Sequence, residues 1–488
     1  MPLRFDHSYA ALPAAFWRGV APTPVAQPRM LAFNQALADE LGLVVAADAP
    51  ATADLLSGNR VPANARPIAM AYAGHQFGHF VPQLGDGRAI LLGEVIDRQG
   101  RRRDMQLKGA GPTPFSRNGD GRAAIGPVLR EFLVSEAMHA LGVPTTRALA
   151  AVATGEMVFR DGPVPGAVLT RIAASHVRVG TFQYFAARGD QAAVRLLADH
   201  VIARHYPALA DAGRPGLALL EAIALRQASL IAQWMHVGFI HGVMNTDNIA
   251  LSGETIDYGP CAFLDDYDPA KVFSSIDRHG RYAFGNQAAV IRWNLARLAE
   301  CLLPLIDTDA EAALAGAGAV IDAMPGHFQR AWLAGMRRKL GLASEEAQDE
   351  ALAQDFLKAL QAVAADYTLA FRGLCLAAQD DAARPEGRLA LPRTPAFDAW
   401  RQRWHERLAR DPQSAAGRVA AMKSVNPAVI PRNHLVHQAL VAAEQGDMAP
   451  FEALLAAVRR PCDDGPEAAR FMQPPEPSQR VLQTFCGT

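Results

Sequence analysis

Two periodicities divide the chain. Between Ile68 and about Ile172, short apolar runs end on Gly, Asp, Pro or Arg: "AILLGEVID", "DMQLKG", "RALAAVA", "EMVFRD" and "GAVLTRIA" each predict a strand. One helix interrupts them. The stretch "PVLREFLVSEAMHALG" opens at Pro127, ends at Gly142, and places Leu129, Phe132, Leu133, Ala137, Ala140 and Leu141 at helical spacing. Beyond about residue 180 that spacing takes over, most clearly in "AAVRLLADHVIARHY", "ALLEAIALRQASLIAQWMHVG" and "AAVIRWNLARLAECLLPLI". The exception is "IALSGETID", whose Ser-Gly pair predicts a strand–turn–strand hairpin. Toward the end, "PAVIPRNHLVHQALVAAEQGDMAPFEALLAAV" predicts further helices packed on the helical part.

Strands with one helix, then many helices, is the order of an α+β, protein-kinase-like pair of lobes. The expected division is a β-rich N-lobe over 1–175 and a large helical C-lobe over 176–488 with a C-terminal helical extension. Half of the 488 residues are hydrophobic and one fifth charged, enough for a large core. The 48 basic and 49 acidic residues leave a formal net charge of -1, which gives no reason to expect a nucleic acid or a membrane surface as partner. The first residues lack a basic segment followed by a long apolar run, and no stretch reads as apolar enough to span a bilayer, so a cytoplasmic location is expected. Five cysteines (Cys261, Cys301, Cys375, Cys462 and Cys486) form no CxxC pair, which argues against a disulfide scaffold and a structural zinc site.

The candidate chemistry comes in pieces. In "PQLGDGRAILLGEV", Gly85 and Gly87 precede a strand where backbone amides can approach phosphate, and Arg88 follows; alone, Asp-Gly also fits a plain hairpin turn. Lys108 ends the strand "DMQLKG", where a buried ammonium needs an anion, and the next helix offers both Glu131 and Glu136. The loop "PFSRNGDGRAAIGP" carries Arg117, Asp120, Gly121 and Arg122 just ahead of that helix, an anion-binding arrangement or a solvated turn. Arg171 and Arg178 fall at the expected junction of the lobes, suited to a polyphosphate or to a salt bridge.

The last piece is "HGVMNTDNIALSGETIDYG". Asn248 and Asp257 are hard oxygen ligands at the spacing of a kinase-type Mg²⁺ pair, with "DYG" in place of the usual "DFG", and His241 reads as a residue that pins the loop. Val243, however, stands where a kinase carries its catalytic aspartate. Asp247 supplies a carboxylate four residues later, either as a displaced base or as a turn residue. A phosphotransferase and a nucleotide-binding scaffold are the rival readings.

The stretches "YAGHQFGHFVPQLGDGRAILLGE", "LKGAGPTPFSRNGDGRAAIGPVLREFLVSEAMHALGVPTTRAL", "SHVRVGTFQYF" and "HGVMNTDNIALSGETIDYGPCAFLDDYDP" resemble the selenoprotein O (YdiU) family over most of the chain. The resemblance implies a kinase-like fold that binds ATP reversed and transfers AMP to Ser, Thr or Tyr hydroxyls of proteins, with redox-related targets and self-AMPylation among the expectations. It implies Asp247 as proton acceptor, Asn248 and Asp257 as ligands of Mg²⁺ or of Mn²⁺ in its place, and Glu131 as the partner of Lys108. Nucleotide contacts would come from Gly85, Gly87, Arg88, Lys108, Asp120, Gly121, Arg171 and Arg178. Some members carry selenocysteine near the C-terminus, where this chain has Cys486, so a reactive thiol or a bridge to a cysteine such as Cys261 is a further expectation.

Overall fold

A computed structural model describes residues 4–379, 387–463 and 465–485. Its main sheet is antiparallel, in the order Trp17–Gly19, Ile68–Met70, Ala89–Ile96, Arg102–Lys108, Pro163–Ala173, Arg147–Phe159, Arg29–Phe33, with Ala123–Ala124 paired off Pro163–Ala173. Helices dominate from Val179 onward. The protein is thus a mixed α/β molecule, β-rich in its N-terminal region and helical after it.

Alternation along Arg102–Lys108 sets the two faces of the sheet. Met105 and Leu107 point to an apolar layer with Leu37, Leu41, Leu55 and Leu56 from the short helices Gln35–Glu40 and Pro50–Ser57. Asp104, Gln106 and Lys108 therefore take the other face. Register then aligns Gln106 with Arg171, and Lys108 with Leu169, on the neighbouring strand. A face that would otherwise be apolar carries a line of polar side chains.

The helix Ile125–Ala140 starts two residues before Pro127 and stops ahead of Gly142, whose φ of +76° suits a glycine terminator. "RALAAVA" and "EMVFRD" are one strand, Arg147–Phe159, because the register shift opposite Gly166 is absorbed as a bulge and Gly155 takes a positive φ without turning the chain. "IALSGETID" is not a hairpin. It turns at Ala250–Gly253, but Ala250 bridges to Arg178 and Thr255 to Thr145, partners far away in sequence.

The C-terminal helices Asn433–Glu444 and Ala449–Val458 also differ from expectation. They pack on the helix Ile125–Ala140, with the Phe132 and Phe451 rings 6.2 Å apart and Arg459 3.5 Å from Glu136. Finally, Pro215–His236 is long and apolar enough by length and composition to cross a membrane, contrary to the reading of the sequence. Here it packs against Gln287–Ile306 and Ala310–Lys339, which accounts for its apolar surface. Cys486 lies outside the described residues; Cys261 is buried, which pushes its thiol pKa up.

Candidate active site

A cleft of about 930 Å³ lies between the polar face of the sheet, the helix Ile125–Ala140 and the loop that begins at His241. The two ends of that loop are stitched by a short ladder pairing Phe239 with Phe263 and Ile240 with Ala262. His241 pins its interior: the buried ring meets the Ile256 carbonyl at 2.9 Å and stacks on Trp234, while its main-chain N–H donates to Gln287 at 3.1 Å. Burial lowers its pKa, in keeping with a structural role.

Five charged side chains converge on the cleft. Lys108 Nζ lies 2.6 Å from Glu131 Oε2 and 2.8 Å from Asp257 Oδ1. Arg171 Nη1 reaches Glu131 Oε1 at 3.0 Å and the same Asp257 oxygen at 2.6 Å. Arg178 Nη1 takes the other oxygen of Asp257 at 3.1 Å and the Asp247 carbonyl at 2.8 Å. The lysine's partner is therefore Glu131, since Glu136 is held by Arg147 at 2.6 and 2.9 Å. Burial alone would raise the pKa values of Glu131 and Asp257, but Lys108 and Arg171 overcome it and hold both carboxylates ionised, Asp257 well below its ordinary value. Asp257 sits at a φ of 64°, a left-handed conformation that Asp tolerates better than most residues.

Asp247 is different. Among the described residues its only side-chain donor is Gln76, 3.4 Å from Oδ2, and Oδ1 is buried with no hydrogen-bond partner. Burial raises its pKa to about 6, against the opposing pull of Arg178. That is the property expected of a proton acceptor near neutral pH. Asn248 donates its side-chain amide to the Val243 carbonyl at 2.9 Å, which leaves its oxygen as an acceptor, and Val243 itself lines the cleft.

The remaining candidates border the same space with less engagement. Gly85 and Gly87 line the cleft, but the N–H groups of Gly85 and Asp86 donate to the Tyr72 and Met70 carbonyls, and the space a Gly85 Cβ would need holds the Phe115 ring. Arg88 and Gly121 also line it, with Gly121 packed so tightly on the Gly111 backbone that no side chain fits. Asp120 pairs with Arg160 at 2.8 Å, and Arg122 donates to the Thr23 and Pro24 carbonyls, so this loop is tied down by its own contacts. Arg117 is exposed at the rim.

Three site residues escaped the reading of single motifs. Asp86, between the two glycines, is fully buried, 3.7 Å from Arg178, and accepts from Gln106 at 3.3 Å; Gln106 in turn accepts from Arg171 at 2.6 Å. Burial raises the Asp86 pKa despite Arg178. Gln76 is the third. The alternation of polar residues in "DMQLK" was the available signal for Gln106; nothing local marked Asp86 or Gln76 apart from its neighbours.

Among the described residues no group of three or more His, Cys, Asp and Glu is arranged to hold a metal ion. A cation here would draw on Asn248 and Asp257, two hard oxygen donors, with the rest from phosphate and water, the pattern that suits Mg²⁺.

Comparison with known proteins gives this cleft its context. The family model described as protein adenylyltransferase SelO matches residues 1–459. A protein from Rhizobium etli (strain CIAT 652) named protein nucleotidyltransferase YdiU is 62% identical over 485 residues, covering 99% of this chain and 97% of its own length. Proteins of the same name from Rhizobium meliloti (strain 1021) and Bradyrhizobium sp. (strain BTAi1 / ATCC BAA-1182) are 60% and 61% identical over 486 residues, each covering 99% of both chains. The chain belongs to the protein adenylyltransferase SelO family and is a nucleotidyltransferase, with ATP the substrate that membership implies.

Proposed function

We propose that this enzyme has a protein-kinase-like, two-lobed fold and transfers AMP from ATP to Ser, Thr or Tyr hydroxyls of proteins, holding ATP with its distal phosphates innermost. The observation that carries this reading is the convergence of Lys108, Arg171 and Arg178 on one carboxylate, beside an under-paired Asp247 and a valine at the kinase base position. Three cations, two of them almost wholly buried, offer far more charge than one nucleotide-binding lysine, and a triphosphate tail would compete with Asp257 for them.

The chemistry follows from these residues. Asp247 takes the proton from the acceptor hydroxyl as its oxygen attacks the α-phosphorus. The bond between that phosphorus and the oxygen bridging to the β-phosphorus breaks, and pyrophosphate leaves with the electron pair. Lys108, Arg171 and Arg178 stabilise the charge that develops on it. Mg²⁺ held by Asn248 and Asp257 would add Lewis-acid stabilisation of phosphate oxygens when bound. Glu131 keeps Lys108 and Arg171 oriented.

Parallel incubations with α-labelled and γ-labelled ATP test the proposal. Label should reach protein only from the α position; transfer only from the γ position would make the enzyme a kinase instead.

A further inference from the structure

The short hairpin formed by Gly74–Gln76 and His79–Val81 lies directly over the loop that carries Asp247. Three successive residues of the hairpin hold three successive residues of the loop. The His75 N–H donates to Thr246 Oγ1 at 2.7 Å, the Phe77 N–H donates to Asn245 Oδ1 at 3.0 Å, and Gln76 Nε2 faces Asp247 Oδ2 at 3.4 Å. Tyr282 donates to the same Asn245 oxygen at 2.7 Å.

The approach is close enough to dictate sequence. A Cβ on Gly74 would sit 2.5 Å from Asp247 Oδ1, and one on Gly180 would collide with the Ala73 carbonyl. The hairpin is also anchored from behind: Gln183 and the His75 ring are 2.8 Å apart, and that ring lies against Phe80 and Trp293, at 4.9 and 5.3 Å between centroids. An element this short has little stability of its own, so its position comes from these contacts.

We propose that Gln76 is a positioning residue for Asp247, its side-chain amide holding the carboxylate in the orientation that accepts the hydroxyl proton. The inference rests on Asp247 being the base. With Oδ1 buried beside Gly74, Oδ2 is the oxygen left to meet the acceptor, and among the described residues Gln76 is the side-chain donor that reaches it. Rotation of the carboxylate about its last bond would swing Oδ2 away from the acceptor, and a misplaced base loses rate without losing nucleotide.

The test is steady-state AMP transfer from α-labelled ATP to casein as the hydroxyl-bearing acceptor, with Gln76→Ala, Gln76→Glu and Asp247→Ala beside the wild type. Gln76→Ala should lower kcat roughly ten- to hundred-fold while KM for ATP stays within about twofold. Gln76→Glu keeps the shape but turns a carboxylate toward a carboxylate, and should be slower still. If both Gln76 variants keep kcat within about twofold of wild type, or lose rate only through a matching rise in KM, the positioning role is overturned. Transfer at the wild-type rate by Asp247→Ala would remove the base itself, a separate failure that the Gln76 results do not produce.

Discussion

Two buried ion clusters in this protein use the same chemistry to different ends. Between the helices Asp349–Ala362 and Pro395–Arg410, the buried Asp349 accepts from Arg407 and Arg337, both at 2.8 Å, and from the Glu346 N–H at 2.8 Å. In the cleft, Asp257 is held by Lys108, Arg171 and Arg178 over similar distances. The first cluster joins helices. The second borders a cavity of about 930 Å³ and lies beside Asp247, a carboxylate with one oxygen that has no partner among the described residues. Pairing of charges, then, does not mark a functional site. Pairing at the edge of open space, next to a group the fold leaves under-satisfied, does.

The comparison can be broken by mutation. The largest effect belongs to the under-satisfied group: Asp247→Ala should reduce AMP transfer by about 10²–10⁴-fold while ATP affinity, measured by calorimetry, changes little. A parallel loss of affinity would place Asp247 among the nucleotide contacts instead. In the helix-joining cluster, Arg407→Ala should cost about 3–5 kcal/mol in chemical denaturation, because it leaves Asp349 short of a buried partner. Activity per folded molecule should be unaffected; a selective loss of turnover would erase the distinction between the clusters.

The smallest effect concerns a cation with no carboxylate partner among the described residues. Lys339 is buried with Nζ 4.0 Å from the centre of the Phe371 ring, and burial lowers its pKa to about 7. The unfolded chain binds this proton up to about pH 10.5, whereas the folded protein releases it above about 7. Stability should therefore rise with pH across that window, and Lys339→Met should flatten the slope in denaturation curves taken at pH 7 and pH 9. An unchanged slope would mean that the ammonium finds a compensating partner.

Much of the fold was legible because it is written in local periodicity. "DMQLKG" and "GAVLTRIA" are strands where alternation said so, and the helix around Glu131 spans nearly the residues its apolar spacing marked. The failures share a cause. "IALSGETID" had a good local hairpin signal, but its backbone finds Thr145 and Arg178, a choice made by distant parts of the chain. The C-terminal helices were recognised, yet their apolar faces did not say which helix they would cover. The apolar run of Pro215–His236 belongs to the centre of a bundle.

The same division holds for the site. By itself the sequence determined which chemical groups are present and their order along the chain: a lysine ending a strand, two candidate glutamates on the next helix, two arginines, then Asp247, Asn248 and Asp257. The tertiary structure pairs Lys108 with Glu131, as the family resemblance implied where helical spacing left Glu136 open, and it alone drew Asp86 and Gln106 into the arginine network and laid Gln76 on Asp247. The physical reason is one of range. Side-chain alternation and helical spacing are properties of neighbouring residues, whereas the burial of a charge and the identity of its partner depend on segments brought together by packing the whole core.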